Sequence, residues 1–143
     1  MLFPKKVKFR KWHTGRRNAK KLLNSVETRG VNISFGSYGL KALSHGRLTS
    51  NELEAARKVM ARYATKSGKV WVRVFPDRPF TKKPAEVKLG KGKGDPVGFV
   101  IEVKPGRILF EIDGVDDKVA VEALRKAGTK IRVKTKTVSR KLV

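Results

Sequence analysis

The sequence predicts a single α+β domain, mainly antiparallel, with two helices packed on a sheet and basic extensions at both ends. Three observations predict it: apolar periodicity that switches between strand and helix, two helix starts with cap residues, and turn residues between the alternating runs. A chain of 143 residues holds one domain with a real core and is too short for two comfortable ones. The core domain is placed at 31–137, between an N-terminal extension, 1–30, and a C-terminal tail, 138–143.

Val31 to Leu43 reads as strand, with Ile33 and Phe35 alternating with polar neighbours and Gly36 and Gly39 interrupting the run. Thr49-Ser50-Asn51-Glu52 is a capping box: the Thr49 hydroxyl accepts from the Glu52 amide, and the Glu52 carboxylate accepts from the Thr49 amide. Leu53, Ala56, Met60 and Tyr63 follow at helical spacing until Ser67-Gly68 stops the helix. Val70, Val72 and Val74 alternate with Trp71, Arg73 and Phe75 in a strand ending at Pro76, where Trp71 reads as a core or sheet-face residue. Asp77 to Gly94 is rich in Pro, Gly and basic residues and poor in apolar ones, which predicts a long loop or protruding hairpin.

Val97–Val103 and Arg107–Ile112 flank Pro105-Gly106, a turn pair expected to join two antiparallel strands. Asp116 is expected to cap a second helix, with Val119, Ala120, Ala123, Leu124 and Ala127 on one face and Gly128 at the C-terminal cap. Ile131 and Val133 alternate with Lys130, Arg132, Lys134 and Lys136 as a last strand, apolar on one face and cationic on the other.

Thirty-five Lys and Arg face twelve Asp and Glu, a formal charge of +23. Small soluble domains usually carry a net charge of magnitude about 2 to 8, so a dense polyanion is the expected partner. Residues 1–30 hold ten cations against Glu27 alone, and their apolar residues keep no period. Ordering that segment costs backbone entropy with little burial, so it is expected to order only against phosphate. Seven of the twelve acids lie between Asp95 and Glu122, which makes one side of the molecule far more positive than the other.

A membrane partner would need a long apolar segment or a broad amphipathic helix, and the sequence offers neither; its start predicts no secretory signal. Without cysteine there are no disulfides, thiolate nucleophiles or Cys-ligated zinc, and two histidines make a poor metal site. Gly36-Ser37-Tyr38-Gly39 is not a nucleophile elbow, and Gly90-Lys91-Gly92-Lys93-Gly94 matches neither familiar nucleotide-loop pattern. Asp113, Asp116 and Asp117 are better read as turn and helix-start residues than as a cation site. No enzyme, metal, cofactor or small-molecule substrate is expected.

Alternating Gly and Lys still lets a backbone approach phosphate closely while each Lys brings a point charge. Lys8-Phe9-Arg10-Lys11-Trp12-His13 interleaves cations with aromatics; Phe9 and Trp12 either stack on unpaired bases or anchor the segment to the core. His45, beside Gly46-Arg47, reads as an RNA contact or turn residue.

The segments Lys8-Phe9-Arg10-Lys11, Ser34-Phe35-Gly36-Ser37-Tyr38-Gly39-Leu40-Lys41-Ala42, Gly46-Arg47-Leu48-Thr49, Glu54-Ala55-Ala56-Arg57, Arg73-Val74-Phe75-Pro76-Asp77 and Gly90-Lys91-Gly92-Lys93-Gly94 stand in one order that resembles the bacterial large-subunit ribosomal protein L-sixteen family, from Met1 to about Thr137. The resemblance implies an α/β hammerhead-like fold, binding to large-subunit rRNA near the base of the central protuberance, neighbouring ribosomal proteins, and late joining of the subunit. It also implies that the loop around Lys88 to Gly94 approaches A-site and possibly P-site tRNA.

On that reading the rRNA contacts are Lys5, Lys6, Lys8, Arg10, Lys11, Trp12, His13, Arg16 and Arg17 in the N-terminal segment, with Lys41, His45, Arg47, Arg57, Arg62, Arg73, Arg132 and Lys134 on the core. The tRNA-proximal residues are Arg78, Lys82, Lys83, Lys88, Lys91 and Lys93, and the location is a cytoplasmic ribosome rather than an organelle one. The link from Arg17 to Gly30 is longer and more lysine-rich than usual in the family. Position 88 is Lys where the family often has Arg, which keeps the charge and loses the planar fork. A free RNA-binding assembly factor or chaperone is the competing reading, distinguished by whether the chain stays on mature subunits.

Overall fold

A computed structural model describes residues 2–13, 18, 20–21 and 24–140. Its regular elements, in chain order, are β1 (Tyr38–Ala42), β2 (Gly46–Thr49), α1 (Ser50–Ala64), β3 (Lys69–Val72), β4 (Arg78–Lys82), β5 (Asp95–Val103), β6 (Ile108–Asp113), α2 (Asp117–Gly128) and β7 (Thr135–Ser139). The α+β, antiparallel, two-helix expectation holds, with the strands divided between two sheets: four strands in the order β3-β6-β1-β7 and three in the order β2-β5-β4. All neighbours in both sheets run antiparallel.

The capping box forms as its spacing predicts: Glu52 N–H donates to Thr49 Oγ1 at 3.4 Å, and Thr49 N–H donates to Glu52 Oε2 at 2.8 Å. From that start α1 buries Leu53, Ala56, Val59 and Met60, and α2 buries Ala120, Ala123, Leu124 and Ala127. The alanines keep α2 thin enough to approach α1 and the sheet closely. Apart from Val59, these side chains meet Leu40, Phe110 and Ile112 from the four-stranded sheet in one core.

Several expectations change. Pro105-Gly106 does not join paired strands: β5 and β6 belong to different sheets, and the turn carries the chain between them. Gly106, at φ +101°, donates to Ala42 O and Ile108 donates to Gly30 O, so the turn's hydrogen-bonding groups are taken by other segments before β6 can face β5. The last strand lies further along, at Thr135–Ser139. Ile131 and Val133 are buried as their alternation predicts, yet they precede the ladder, which is held off by Lys134 N–H donating to Ser44 Oγ at 3.0 Å. β7 thereby takes in Val138 and Ser139, where the tail was expected to begin.

Gly128 is the last residue of α2, not a left-handed cap beyond it; a Cβ there would stand 2.6 Å from Thr135 Oγ1, so the threonine hydroxyl would have to turn away. Asp116 sits at the N-cap without a side-chain capping bond. Finally, Ile33 and Phe35 are not in a strand, because the amides of residues 34–36 turn toward a carboxylate instead of a neighbouring strand.

That carboxylate is Glu111, on the central strand β6 and fully buried. It accepts from Ser34 N–H at 3.1 Å, Phe35 N–H at 2.6 Å and Gly36 N–H at 2.8 Å, and from Arg73 Nη1. Burial alone would raise its pKa; the three amides and the guanidinium outweigh burial and hold it below the ordinary value. The unfolded chain therefore takes up this proton first as pH falls. The stabilisation is complete above the ordinary carboxylate value, near 4.5, and is lost as pH descends through the lower native value.

Glu111→Ala leaves Arg73 and three amides without their acceptor, and is expected to cost about 3–5 kcal/mol. Urea unfolding of both proteins across a pH series checks this: the wild type holds steady at neutral pH and weakens in acid, while the variant shows a shallower acid loss. A variant as stable as the wild type contradicts the role given to Glu111.

Candidate nucleic-acid interface

The N-terminal residues lie on the protein instead of waiting for a ligand. Leu2 packs on the core and its N–H donates to Ser50 Oγ at 2.9 Å. The Phe3 and Phe99 rings meet edge to face, 6.5 Å apart. Further along, Lys93 Nζ donates to Trp12 O, Lys11 Nζ donates to Lys93 O at 3.5 Å and stands 4.0 Å from Asp95, and the Arg78 guanidinium lies 5.4 Å from the Trp12 ring centroid. For residues 2–13 the expectation of order only against phosphate is thus corrected. Leu2 finds partners on the core, Phe3 on β5 and Trp12 on β4, which no local period could reveal. Trp12 is anchored by Arg78 and still 42% exposed, while Phe9, with Lys8 beside its ring, is 58% exposed.

The strap ends beside the hairpin made by β4 and β5. Lys83 Nζ closes the hairpin loop on Gly90 O, and Gly90, Lys91 and Gly92 all have positive φ. For Lys91, at φ +55°, this conformation is uncommon and the two glycines relieve it on either side. Lys82, Lys88, Lys91 and Lys93 are exposed and Lys83 is half-buried. Arg78 differs: it is buried at the hairpin base and paired with Glu102 at 2.6 Å, a carboxylate that Arg47 also reaches at 3.0 Å. Lys11 and Trp12 from one predicted group therefore meet Lys93 from the other at the surface, with the buried Arg78 against the Trp12 ring.

Among the remaining candidates the ion-paired ones are arginines. Arg57 pairs with Glu54, Arg73 with Glu111 and Arg132 with Glu52. The Glu52 pKa is lowered although burial pushes it up, because Arg132 and Thr49 hydrogen-bond the charged form. Guanidinium forks suit carboxylates, so the core draws on arginine. Lys5, Lys6, Lys8, Arg10, His13, Arg62 and Lys134 are exposed and Lys41 is half-buried. His45 is also half-buried, its Nε2 without a hydrogen-bond partner among the described residues. Arg16 and Arg17 lie outside the described residues.

Two features escaped the sequence reading. Lys41 on β1 stands directly opposite Lys136 on β7. Like charges across a ladder destabilise a sheet, and a bound anion removes the penalty. Lys136 was legible as part of a cation row; its pairing with Lys41 was not. A groove of about 340 Å³ between the helices also gathers Arg62 and Tyr63 with Lys126 and Lys130. Helical period alone gives no sign that the two helices bring those cations together.

Among the described residues no cluster of three or more His, Cys, Asp or Glu could hold a metal. Asp113 instead accepts from Ser37 Oγ at 2.6 Å, and Asp117 lies beside the Tyr38 hydroxyl and raises its pKa. No helix among the described residues is long and apolar enough to cross a membrane.

A lysine-rich surface on an arginine-tied scaffold defines a class: a basic protein shaped to bind a polyanion. The chain belongs to the ribosomal protein L16p/L10e family, which matches residues 4–138. It is 51% identical over 140 residues to the large ribosomal subunit protein uL16 of Afipia carboxidovorans strain OM5, and 50% identical over 140 residues to that of Rhodopseudomonas palustris strain BisB18; each match covers 98% of both chains. The resemblance read from the ordered segments is thereby confirmed, and the kinship is with ribosomal proteins, not enzymes.

Lys93→Ala removes the donor that holds Trp12 O and should free the strap from the hairpin. Limited proteolysis is expected to cut the variant near residues 8–12 faster than the wild type, with little change in the global unfolding midpoint. Equal cutting rates argue against the Lys93 contact.

Proposed function

We propose that this chain is a structural constituent of the large ribosomal subunit in the cytoplasm, held on large-subunit rRNA by its lysine-rich surface, with the β4–β5 hairpin directed at A-site and P-site tRNA. Residues 1–30 act as the RNA-binding extension and 31–139, through the end of β7, as the scaffold. The observation that carries this reading is the junction of Lys11 and Trp12 with Lys93, which joins the strap to the exposed lysines of the β4–β5 hairpin as one cationic surface. Kinship with large-subunit proteins supports the rRNA assignment. The solvated loop lysines, standing clear of the core, support the tRNA assignment.

The mechanism is electrostatic clamping. Each phosphate neutralised releases condensed counterions, so affinity falls with salt. If ten cations engage phosphate, a fourfold rise in salt weakens rRNA binding by roughly 10⁴- to 10⁵-fold. Filter binding over a salt series reads this, and a log-log slope near zero contradicts it. Large subunits washed free of assembly factors should retain the chain at unit stoichiometry; finding it only on precursor particles favours the free assembly factor.

Lys91 has no structural partner to lose among the described residues. Lys91→Ala is expected to leave the unfolding midpoint unchanged and to reduce A-site tRNA occupancy on reconstituted subunits. Unaltered occupancy removes Lys91 from the tRNA-facing set.

A further inference from the structure

We propose that Phe35, seated on Trp71 and Arg73, is a stacking platform for an unpaired base of large-subunit rRNA. The inference rests on the rRNA-bound reading above and gives it a second contact surface, away from the strap and hairpin. Phe35 is 57% exposed. Its ring is stacked 6.1 Å from Trp71 at an interplanar angle of 18°, with the Arg73 guanidinium carbon 5.0 Å from its centroid. Both neighbours come from β3 and the residue just beyond it, so the exposed part of the ring is turned away from that stretch of chain.

The ring is held in place by backbone, not by burial. Phe35 N–H donates to the buried Glu111 carboxylate at 2.6 Å, and the amides on either side donate to the same group. Trp71 lies opposite Glu111 in the ladder, and Arg73 is tied by its side chain to Glu111 and by its N–H to Leu109 O at 2.9 Å. A single exposed apolar side chain needs no explanation. Here two aromatic rings and a guanidinium form an ordered stack whose outer ring is denied cover, and pre-organised aromatic surface lowers the cost of binding a flat partner.

The surroundings favour a base over an apolar protein surface. Lys69 precedes Trp71 by two residues on β3, and Arg140 is fixed at the Ser37 carbonyl, two residues from Phe35. The two acids beside the stack are both engaged, Glu111 by Arg73 and the amides of residues 34–36, and Asp113 by Ser37 Oγ. Cations beside an aromatic face are the arrangement that takes an unstacked base and its flanking phosphates.

The test is binding of full-length wild type, Phe35→Leu and Phe35→Trp to purified large-subunit rRNA. Loss of one base stack should weaken Phe35→Leu by roughly 5- to 100-fold with an unchanged salt slope, because no phosphate contact is removed. Phe35→Trp should keep wild-type affinity, and ultraviolet crosslinking should join the Phe35 peptide to one unpaired nucleotide. Full affinity in Phe35→Leu overturns the platform and leaves the rRNA reading standing. Equal weakening in both variants, with a lowered unfolding midpoint, overturns it as a folding effect. Loss seen only in assembled particles, with naked-RNA binding intact, overturns it in favour of a protein neighbour. Failure of the wild type to bind rRNA removes the functional reading itself, and the platform with it.

Discussion

Repulsion among 35 lysine and arginine side chains, opposed by only twelve carboxylates, is the constraint under which everything else in this molecule is arranged. In a chain of this charge three acids hold arginines against the framework. Glu111 does so at the centre of the larger sheet, Glu102 in the smaller sheet and Glu52 at the start of α1. The partners are arginines, whose forked geometry fits a carboxylate better than an ammonium does. Most of the lysines are left facing water, and their mutual repulsion is relieved by a polyanion.

The two-sheet arrangement turns this division into an interface. The turn at Pro105-Gly106 passes the chain from the small sheet to the large one, so β5 is free to pair with β2 and β4 while β6 becomes the centre of the other sheet. The small sheet then serves two ends at once. Its β4–β5 hairpin carries the Gly-Lys loop, and Phe99 and Arg78 receive the strap at Phe3 and Trp12. On the larger sheet Glu111 gathers residues 34–36 across one face, fixing Phe35 over Trp71.

What could be read from the residues in order was local. Thr49 and Glu52 close a ring within four residues, the apolar stripe of α2 repeats within three turns, and the charge asymmetry needs only counting. Each is decided by atoms close in sequence, which is why the α+β class, both helices, the polyanion partner and the family were legible. The cation list was legible too, as residue types; which cations point outward was not. Arg78 looked like a loop cation and lies buried on Glu102, 24 residues away.

Tertiary structure alone decided matters in which partners lie far apart along the chain. Whether Ile33 and Phe35 extend a strand depends on a carboxylate about 76 positions later, which outcompetes a neighbouring strand for three amides. Whether Val97–Val103 pairs with Ile108–Asp113 depends on Ala42 and Gly30 taking the turn's hydrogen bonds first. Whether the basic N-terminus is ordered depends on Ser50, Phe99, Arg78 and Lys93, none adjacent to it in sequence. Periodicity reports which face of an element is apolar; it carries no information about competition among distant donors and acceptors, and that competition set the sheet boundaries and the shape of the binding surface.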